Sequence, residues 1–309
     1  MIPVNSVLQV GQFPEVMQMV IDQRIVPTRF DDLQAELPSG SFDSILIRSN
    51  TKLPIALLEK LPQVKMVATC GVGYDNLPLD YLKQKGIKAS NTPGVLNDAV
   101  CELAIGMMFG LLRRIPEAHE FVRSAAWSKG LFTVTTTLAG KRVGIVGMGR
   151  IGQDLAKRLE PFKVDIAYTG PSAKDLPYTY LPNVKALAKV CDVLFLACPA
   201  SSATEKMINA EVLEALGPQS YLVNIARGSV VDEAALLVAL QQKKIAGAAL
   251  DVFENEPNPD ARFLNLDNVL LTPHIGSATS ETRQLMTNLA IDNLEAFYNQ
   301  QPLLTEVQN

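Results

Sequence analysis

The chain has 309 residues, enough for about two domains of ordinary size, with 48% hydrophobic residues, 19% charged residues and a net charge of −4. That balance excludes a largely disordered chain and leaves no basic face for nucleic acid or an anionic membrane, while one or two arginines could still grip a small anion. Four dispersed cysteines, Cys70, Cys101, Cys191 and Cys198, lack C-x-x-C spacing and read as buried thiols of a cytoplasmic protein, with no metal site.

In chain order, the start "MIPVNSVLQV" has no basic segment before an apolar core, so no signal peptide is expected. "SVLQV", "SILIR" and "KMVATC" read as buried parallel strands, and "PEVMQMVIDQ" and "PIALLEKL" have helical spacing behind a proline. This alternation implies βαβ units and a parallel sheet covered on both faces. The stretch 98–123 reads as a long helix, capped by Asn97 or Asp98 and turning at Ile115–Pro116. Its apolar part, "VCELAIGMMFGLL" at 100–112, is too short for a bilayer and contains Glu102. A second series follows: "KRVGIVG", "KVDIAYTG", "CDVLFLACP", "SYLVNIARG", "IAGAALDVF" and "NVLLTPH". The last helix, from about Ser280 to Tyr298, has no strand after it and is expected to return to the first domain.

"RVGIVGMGRIG" places Gly147, Gly149 and Gly152 between a β-branched strand and the helical "QDLAKRLE". In that setting, a G-x-G-x-x-G run lets the backbone approach a pyrophosphate held over helix N–H groups. An NAD-preferring site carries Asp or Glu about 20 residues further on, at the tip of the second strand. Here that strand, "VDIAYT", ends in Thr169-Gly170-Pro171-Ser172-Ala173-Lys174, and Asp165 lies near its start. With no acid at the tip, Ser172 and Lys174 are placed to bind a 2′-phosphate. NADP is the preferred cofactor on this reading and NAD the alternative.

Three charged groups end consecutive later segments: Arg227 in "NIARGSVVDE", Glu256 in "ALDVFENEP" and His274 in "TPHIGSAT". If these segments share one parallel sheet, their ends converge on the edge carrying Gly147. Hydride chemistry at an oxygen-bearing carbon needs a proton partner, and histidine suits that exchange near neutrality. A carboxylate on the other ring nitrogen fixes the tautomer, and Glu256 is the candidate. An arginine clamps a carboxylate through two parallel hydrogen bonds, the role open to Arg227.

Together with "GVGYDN", these motifs resemble, in the same order, the D-isomer-specific 2-hydroxyacid dehydrogenases, from about residue 42 to residue 290. The resemblance implies a catalytic triad of Arg227, Glu256 and His274, with His274 as proton donor in ketone reduction. It implies that the backbone of Val72 and Gly73 grips the substrate carboxylate. It also implies cofactor contacts at Arg150, Ile151, Cys198, Pro199, Ile225, Ala226, Asp251 and Gly276, with Asp251 holding the nicotinamide amide. Within the family, "YTGPSAK" looks more like the NADPH-using glyoxylate and hydroxypyruvate reductases than the NAD-preferring members. Glu256 argues against formate dehydrogenase, whose histidine pairs with glutamine, and the lack of an appended regulatory domain argues against long-type phosphoglycerate dehydrogenase.

The expected architecture is two doubly wound α/β domains around a cleft. Residues 1–97 and 285–309 form a flavodoxin-like substrate domain, and 98–284 an inserted NAD(P)-binding Rossmann domain, with hinges near 97–99 and 280–285. The expected reaction is reduction of a small 2-keto acid to the D-2-hydroxy acid. An NAD-linked dehydrogenase for a bulkier acid and a nucleotide-sensing regulator of the same fold are the alternatives. The "GMMFGLL" face of the crossing helix points to a homodimer. Trp127 reads as a pocket wall, a dimer contact or a core filler, and His119 as a surface or interface residue. Arg48, Ser49 and Asn50 end a first-domain strand, where facing the cleft is one option, and carry no assigned role.

Overall fold

The computed structural model describes residues 2–32 and 34–307. Runs such as Val7–Val10 and Met66–Cys70 have no solvated side, and they become strands buried at every position. The first unit opens with β1 (Val7–Val10), α1 (Glu15–Arg24), β2 (Thr28–Phe30), β3 (Ser44–Arg48), α2 (Ile55–Glu59), β4 (Met66–Cys70), α3 (Leu79–Lys85) and β5 (Lys88–Ser90). Pro14, Pro54 and Pro78 directly precede the three helices, where a missing N–H costs no helical bond. Among the described residues these strands are all parallel, in the order β2-β1-β3-β4-β5. That is the flavodoxin-like winding.

The chain continues through α4 (Asn97–Leu112), α5 (Ile115–Arg123), β6 (Arg142–Val146), α6 (Arg150–Leu159), β7 (Asp165–Thr169), β8 (Thr179–Tyr180) and α7 (Val184–Ala188). It then forms β9 (Val193–Leu196), α8 (Ala210–Leu216), β10 (Tyr221–Asn224), α9 (Glu233–Gln241), β11 (Gly247–Leu250) and β12 (Val269–Leu271). The second sheet, also parallel among the described residues, runs β12-β11-β10-β9-β6-β7-β8. Its order reverses between β6 and β9, the switch point at which doubly wound sheets bind ligands. One core layer gathers Met107, Met108, Leu155 and Leu159 of α4 and α6; the other gathers Leu187, Leu213 and Leu236 of α7, α8 and α9.

Residues 1–96 with 277–309 form one unit and 97–276 the other. Asn97 thus belongs with the second unit, and 277–284, assigned above to the second domain, groups with the first. The reason is local: α10 (Ser280–Tyr298) starts at the Thr279 cap and buries Ala290, Ile291 and Leu294 with Met17, Ile21, Met66 and Cys70. After α10, Val307 N–H donates to Ala89 O at 2.9 Å, which ties the end of the chain to β5.

Two expectations need correction. The "GMMFGLL" face is not a free dimer surface, because Met107, Met108, Leu111 and Leu112 fill the core of their own unit. Beyond α4 the chain exposes Ile115, Val122, Trp127, Leu131 and Val134, among other apolar side chains, so Trp127 is not a core filler. The sequence reading also lacks β2, β5 and β8, which have only two or three residues each and too little patterning to declare themselves. All four cysteines are free and buried. Among the described residues, no helix is long and apolar enough to cross a membrane.

Candidate active site

The site is built on loops at the carboxyl ends of the second sheet. β6 ends at Val146, and Gly147 takes φ +95°, a conformation side chains disfavour. A Cβ there would stand 2.6 Å from the backbone N and Cα of Cys198, while one on Gly152 would collide with the Gly147 carbonyl. The glycines therefore let α6 start hard against β6 and β9. Gly149 precedes α6 without a side-chain cap, so the first-turn N–H groups by Arg150, Ile151 and Gly152 remain open to an anion.

At the tip of β7, Thr169 O accepts from Gly147 N–H at 2.9 Å. The following loop is pinned by buried Tyr168, whose hydroxyl accepts from Lys174 N–H at 2.7 Å. The side chains of Ser172 and Lys174 face solvent. At the end of β9, Cys198 is buried and Pro199 exposed, with Pro199 O accepting from Thr204 Oγ1 at 2.8 Å.

The turn after β10 is shaped by Asn224, which is 1% exposed. Its Oδ1 accepts from Ala226 N–H and its Nδ2 donates to Arg227 O, both at 3.0 Å. This clamp fixes Ile225, Ala226 and Arg227; Arg227 Nη1 also donates to Ala226 O at 2.8 Å. Next, Gly228 lies so close to Phe253 and Glu254 that a Cβ would overlap their backbone. The Arg227 turn and the Glu256 loop are thereby pressed together.

Glu256 Oε2 meets His274 Nδ1 at 2.7 Å, and its Oε1 accepts from Phe253 N–H at 3.1 Å. Burial pushes this carboxyl's pKa up, but the His274 hydrogen bond and charge, the Phe253 N–H and the Arg227 charge outweigh it. Glu256 is held below the ordinary glutamate value and stays ionised. Glu233, at the start of α9, accepts from Glu254 N–H at 2.7 Å and braces the same loop. Burial raises the pKa of Glu233, as do the neighbouring charges of Glu254, Asp260 and Glu256.

His274 sits at φ +53°, unusual for a residue other than glycine. Asp251, 2% exposed, holds it there: Oδ1 accepts from Thr272 Oγ1 at 2.6 Å and from Ile275 N–H at 2.8 Å. Oδ2 accepts from Gly276 N–H at 2.9 Å. What the structure displays for Asp251 is therefore a brace on the histidine loop, three bonds of the roughly four a carboxylate can take.

The fold thus unites Arg227, Glu256, His274, Asp251 and the Gly147 cradle in one unit. His119 is instead a surface residue on α5. Val72 and Gly73 belong to the first unit, half-buried after β4, with Val72 O accepting from Asn91 Nδ2 at 2.8 Å. Sequence reasoning missed Asn224 and Glu233. The "N" of "NIARG" and the final "E" of "SVVDE" were the only hints, and both are polar residues flanking an apolar strand or helix.

Residues 105–276 match the family model for D-isomer specific 2-hydroxyacid dehydrogenase, NAD binding domain. The chain is 45% identical over 308 residues to hydroxyphenylpyruvate reductase of Plectranthus scutellarioides, covering 98% of this chain and 98% of the relative. It is 45% identical over 273 residues to glyoxylate/hydroxypyruvate reductase A of Arabidopsis thaliana, covering 88% of this chain and 87% of that one. Among solved structures, the NADPH-dependent glyoxylate/hydroxypyruvate reductase of Sinorhizobium meliloti in complex with NADP and malonate superposes with TM-score 0.93 at 38% identity. That match covers 98% of this chain and 97% of the other.

Proposed function

The chain belongs to the D-isomer specific 2-hydroxyacid dehydrogenases, and from that premise we propose that it reduces a small 2-keto acid of the glyoxylate or hydroxypyruvate type to the D-2-hydroxy acid, with NADPH as reductant. The observation that carries this reading is the 2.7 Å pair of His274 and Glu256 on the sheet edge that carries the glycine cradle.

The cradle suits a dinucleotide: α6 has an uncapped start, and the positive φ of Gly147 leaves room for close backbone approach. When bound, the nicotinamide supplies the hydride. Arg227 clamps the substrate carboxylate and polarises the neighbouring carbonyl. The family likeness assigns the backbone of Val72 and Gly73 to the same carboxylate. With Nδ1 taken by ionised Glu256, the Nε2 proton of His274 is the one to pass to the carbonyl oxygen. The ring, 34% exposed, regains its proton from solvent. Arg150, Ile151, Cys198, Pro199, Ile225, Ala226 and Gly276 are the proposed cofactor contacts, and Asp251 is proposed to add a nicotinamide contact to its structural bonds.

NADPH is preferred over NADH because β7 ends at Thr169 without an acid and Ser172 and Lys174 face solvent beside that tip. The NADPH dependence of the Sinorhizobium relative supports the same choice. A second reading, reduction of a bulkier 2-keto acid, draws on the hydroxyphenylpyruvate reductase likeness. We also place the protein in the cytoplasm as a homodimer. Four free cysteines support the compartment, and the exposed Ile115, Val122, Trp127, Leu131 and Val134 support the dimer.

A 2-keto acid panel run with NADPH and NADH tests the proposal. Glyoxylate- or hydroxypyruvate-dependent oxidation of NADPH is the expected result. No turnover on any 2-keto acid would overturn it in favour of a nucleotide-sensing regulator, and a clear NADH preference would overturn the cofactor assignment.

A further inference from the structure

The loop that follows β4 is fastened to the residues that follow β5. Thr92 N–H donates to Gly71 O at 2.8 Å, and Gly71 N–H donates to Thr92 Oγ1 at 2.9 Å. Asn91 Nδ2 donates to Val72 O at 2.8 Å. The peptide bonds here are trans, so each carbonyl points away from the N–H of its own peptide unit. Gly71 O shares a unit with Val72 N–H, and Val72 O shares the next with Gly73 N–H. The bonds on the two carbonyls therefore aim Val72 N–H away from Thr92 and Gly73 N–H away from Asn91. Among the described residues neither N–H has a partner in the protein. Two successive N–H groups left open in this way suit a carboxylate.

Asn91 is itself fastened by the end of the chain. Thr305 Oγ1 donates to Asn91 O at 2.6 Å, and Asn91 N–H donates to Thr305 O at 3.3 Å. Thr305 is gripped in turn by the fully buried Asn293 of α10. Thr305 N–H donates to Asn293 Oδ1 at 3.0 Å, and Asn293 Nδ2 donates to Thr305 Oγ1 at 2.9 Å and to Leu289 O at 2.8 Å. Buried amides are costly unless bonded, so each member of this network holds the next in place. One connected set of hydrogen bonds, all within the first unit, thus runs from α10 through the tail to Val72.

We infer that Asn91 and Thr92 are positioning residues for the substrate carboxylate, and that Thr305 sets the aim of the Asn91 amide from the carboxyl-terminal tail. The inference rests on the reading above that Val72 and Gly73 hold the carboxylate of a 2-keto acid. It makes the tail a determinant of substrate affinity through bonds to the loop alone.

Steady-state rates on the full-length protein test it, in the wild type, Asn91→Ala, Thr305→Val and Thr305→Ser. Asn91→Ala should raise the KM for glyoxylate about 10- to 100-fold, the range of a lost hydrogen bond to a charged group, with kcat changed much less. Thr305→Val keeps the shape and loses the hydroxyl; it should raise that KM about three- to tenfold, and Thr305→Ser should restore it. The dissociation constant for NADPH should stay at the wild-type value throughout, because the Gly147 cradle belongs to the other unit. A readout free of turnover runs beside these: oxalate should slow amide exchange at Val72 and Gly73 in the wild type, and the same concentration should fail to do so in Asn91→Ala. An unchanged KM in Asn91→Ala or Thr305→Val, a serine variant as impaired as the valine one, or a parallel loss of NADPH affinity overturns the inference. If no 2-keto acid is reduced yet the oxalate protection depends on Asn91, the positioning role stands and the reductase reading fails.

Discussion

Asp251, directly after β11, holds the strained loop after β12 that carries His274. The backbone of His274 stands at φ +53°, and the Asp251 carboxylate takes the Thr272 hydroxyl and the N–H groups of Ile275 and Gly276 on either side of it. The imidazole is thereby aimed at Glu256 before any ligand arrives.

Replacing that brace should therefore act through the histidine. In Asp251→Asn one oxygen becomes an NH2 group that cannot accept, leaving at least one of the bonds on the loop unmade. Turnover should fall about 100-fold, the scale of a small misplacement of a catalytic group. Amide hydrogen exchange at Ile275 and Gly276 should accelerate in the same variant. Unchanged exchange with reduced turnover would move Asp251 out of the positioning role.

The proton donor itself should be worth more than its brace. His274→Ala should lower kcat by about 100- to 10,000-fold with NADPH binding retained, read by steady-state rates and fluorescence titration. Turnover close to wild type in that variant would end the assignment of His274 as donor.

The two carboxylates of this region should leave opposite marks on stability. Glu256 has a folded-state pKa below the unfolded value of about 4.3, so its stabilisation is present above that pH and fades as the pH drops through the folded value. Glu233, with its pKa raised, contributes most when protonated and loses that contribution as the pH rises through its folded value. Thermal melts of Glu256→Gln and Glu233→Gln between pH 3 and pH 8 should show it. The first should lose stability chiefly at neutral pH, the second should gain there, and matching profiles for the two would contradict the assignment.

Gly228 gives a steric prediction. Gly228→Ala drives a methyl into Phe253 and Glu254 and should cost about 2 kcal/mol or more, with the Glu256 loop displaced. Gly106→Ala, in α4 with open space at that position, should be neutral or stabilising by about 0.5–1 kcal/mol. Denaturant titrations of the pair separate this contact from any general intolerance of alanine.

For the cofactor, Lys174→Ala combined with Ser172→Ala should raise the KM for NADPH about tenfold and leave the KM for NADH little changed. A parallel rise in both would mean that the loop serves the dinucleotide in general.

Features carried by a short, periodic or glycine-marked stretch were legible in the sequence. The βαβ alternation, the Gly147 turn, the limits of α10 and the pairing of Glu256 with His274 all belong to that class. Features fixed by distant contacts were not. Asn224 and Glu233 are ordinary polar residues until the fold sets a backbone N–H against them. The run at Met107 and Met108 is equally apolar whether it meets another subunit or its own sheet, and only the sheet order decides.

The first unit is assembled from both ends of the chain, and this has a consequence for biosynthesis. On the ribosome, 97–276 emerges complete and can fold while the earlier strands still lack α10 and the Val307 bond that closes on β5. The amino-terminal sheet must wait, its apolar side against α10 uncovered, until the final thirty or so residues are translated. Premature stop codons anywhere after the second unit should therefore yield a protein whose earliest-made half is the part that aggregates.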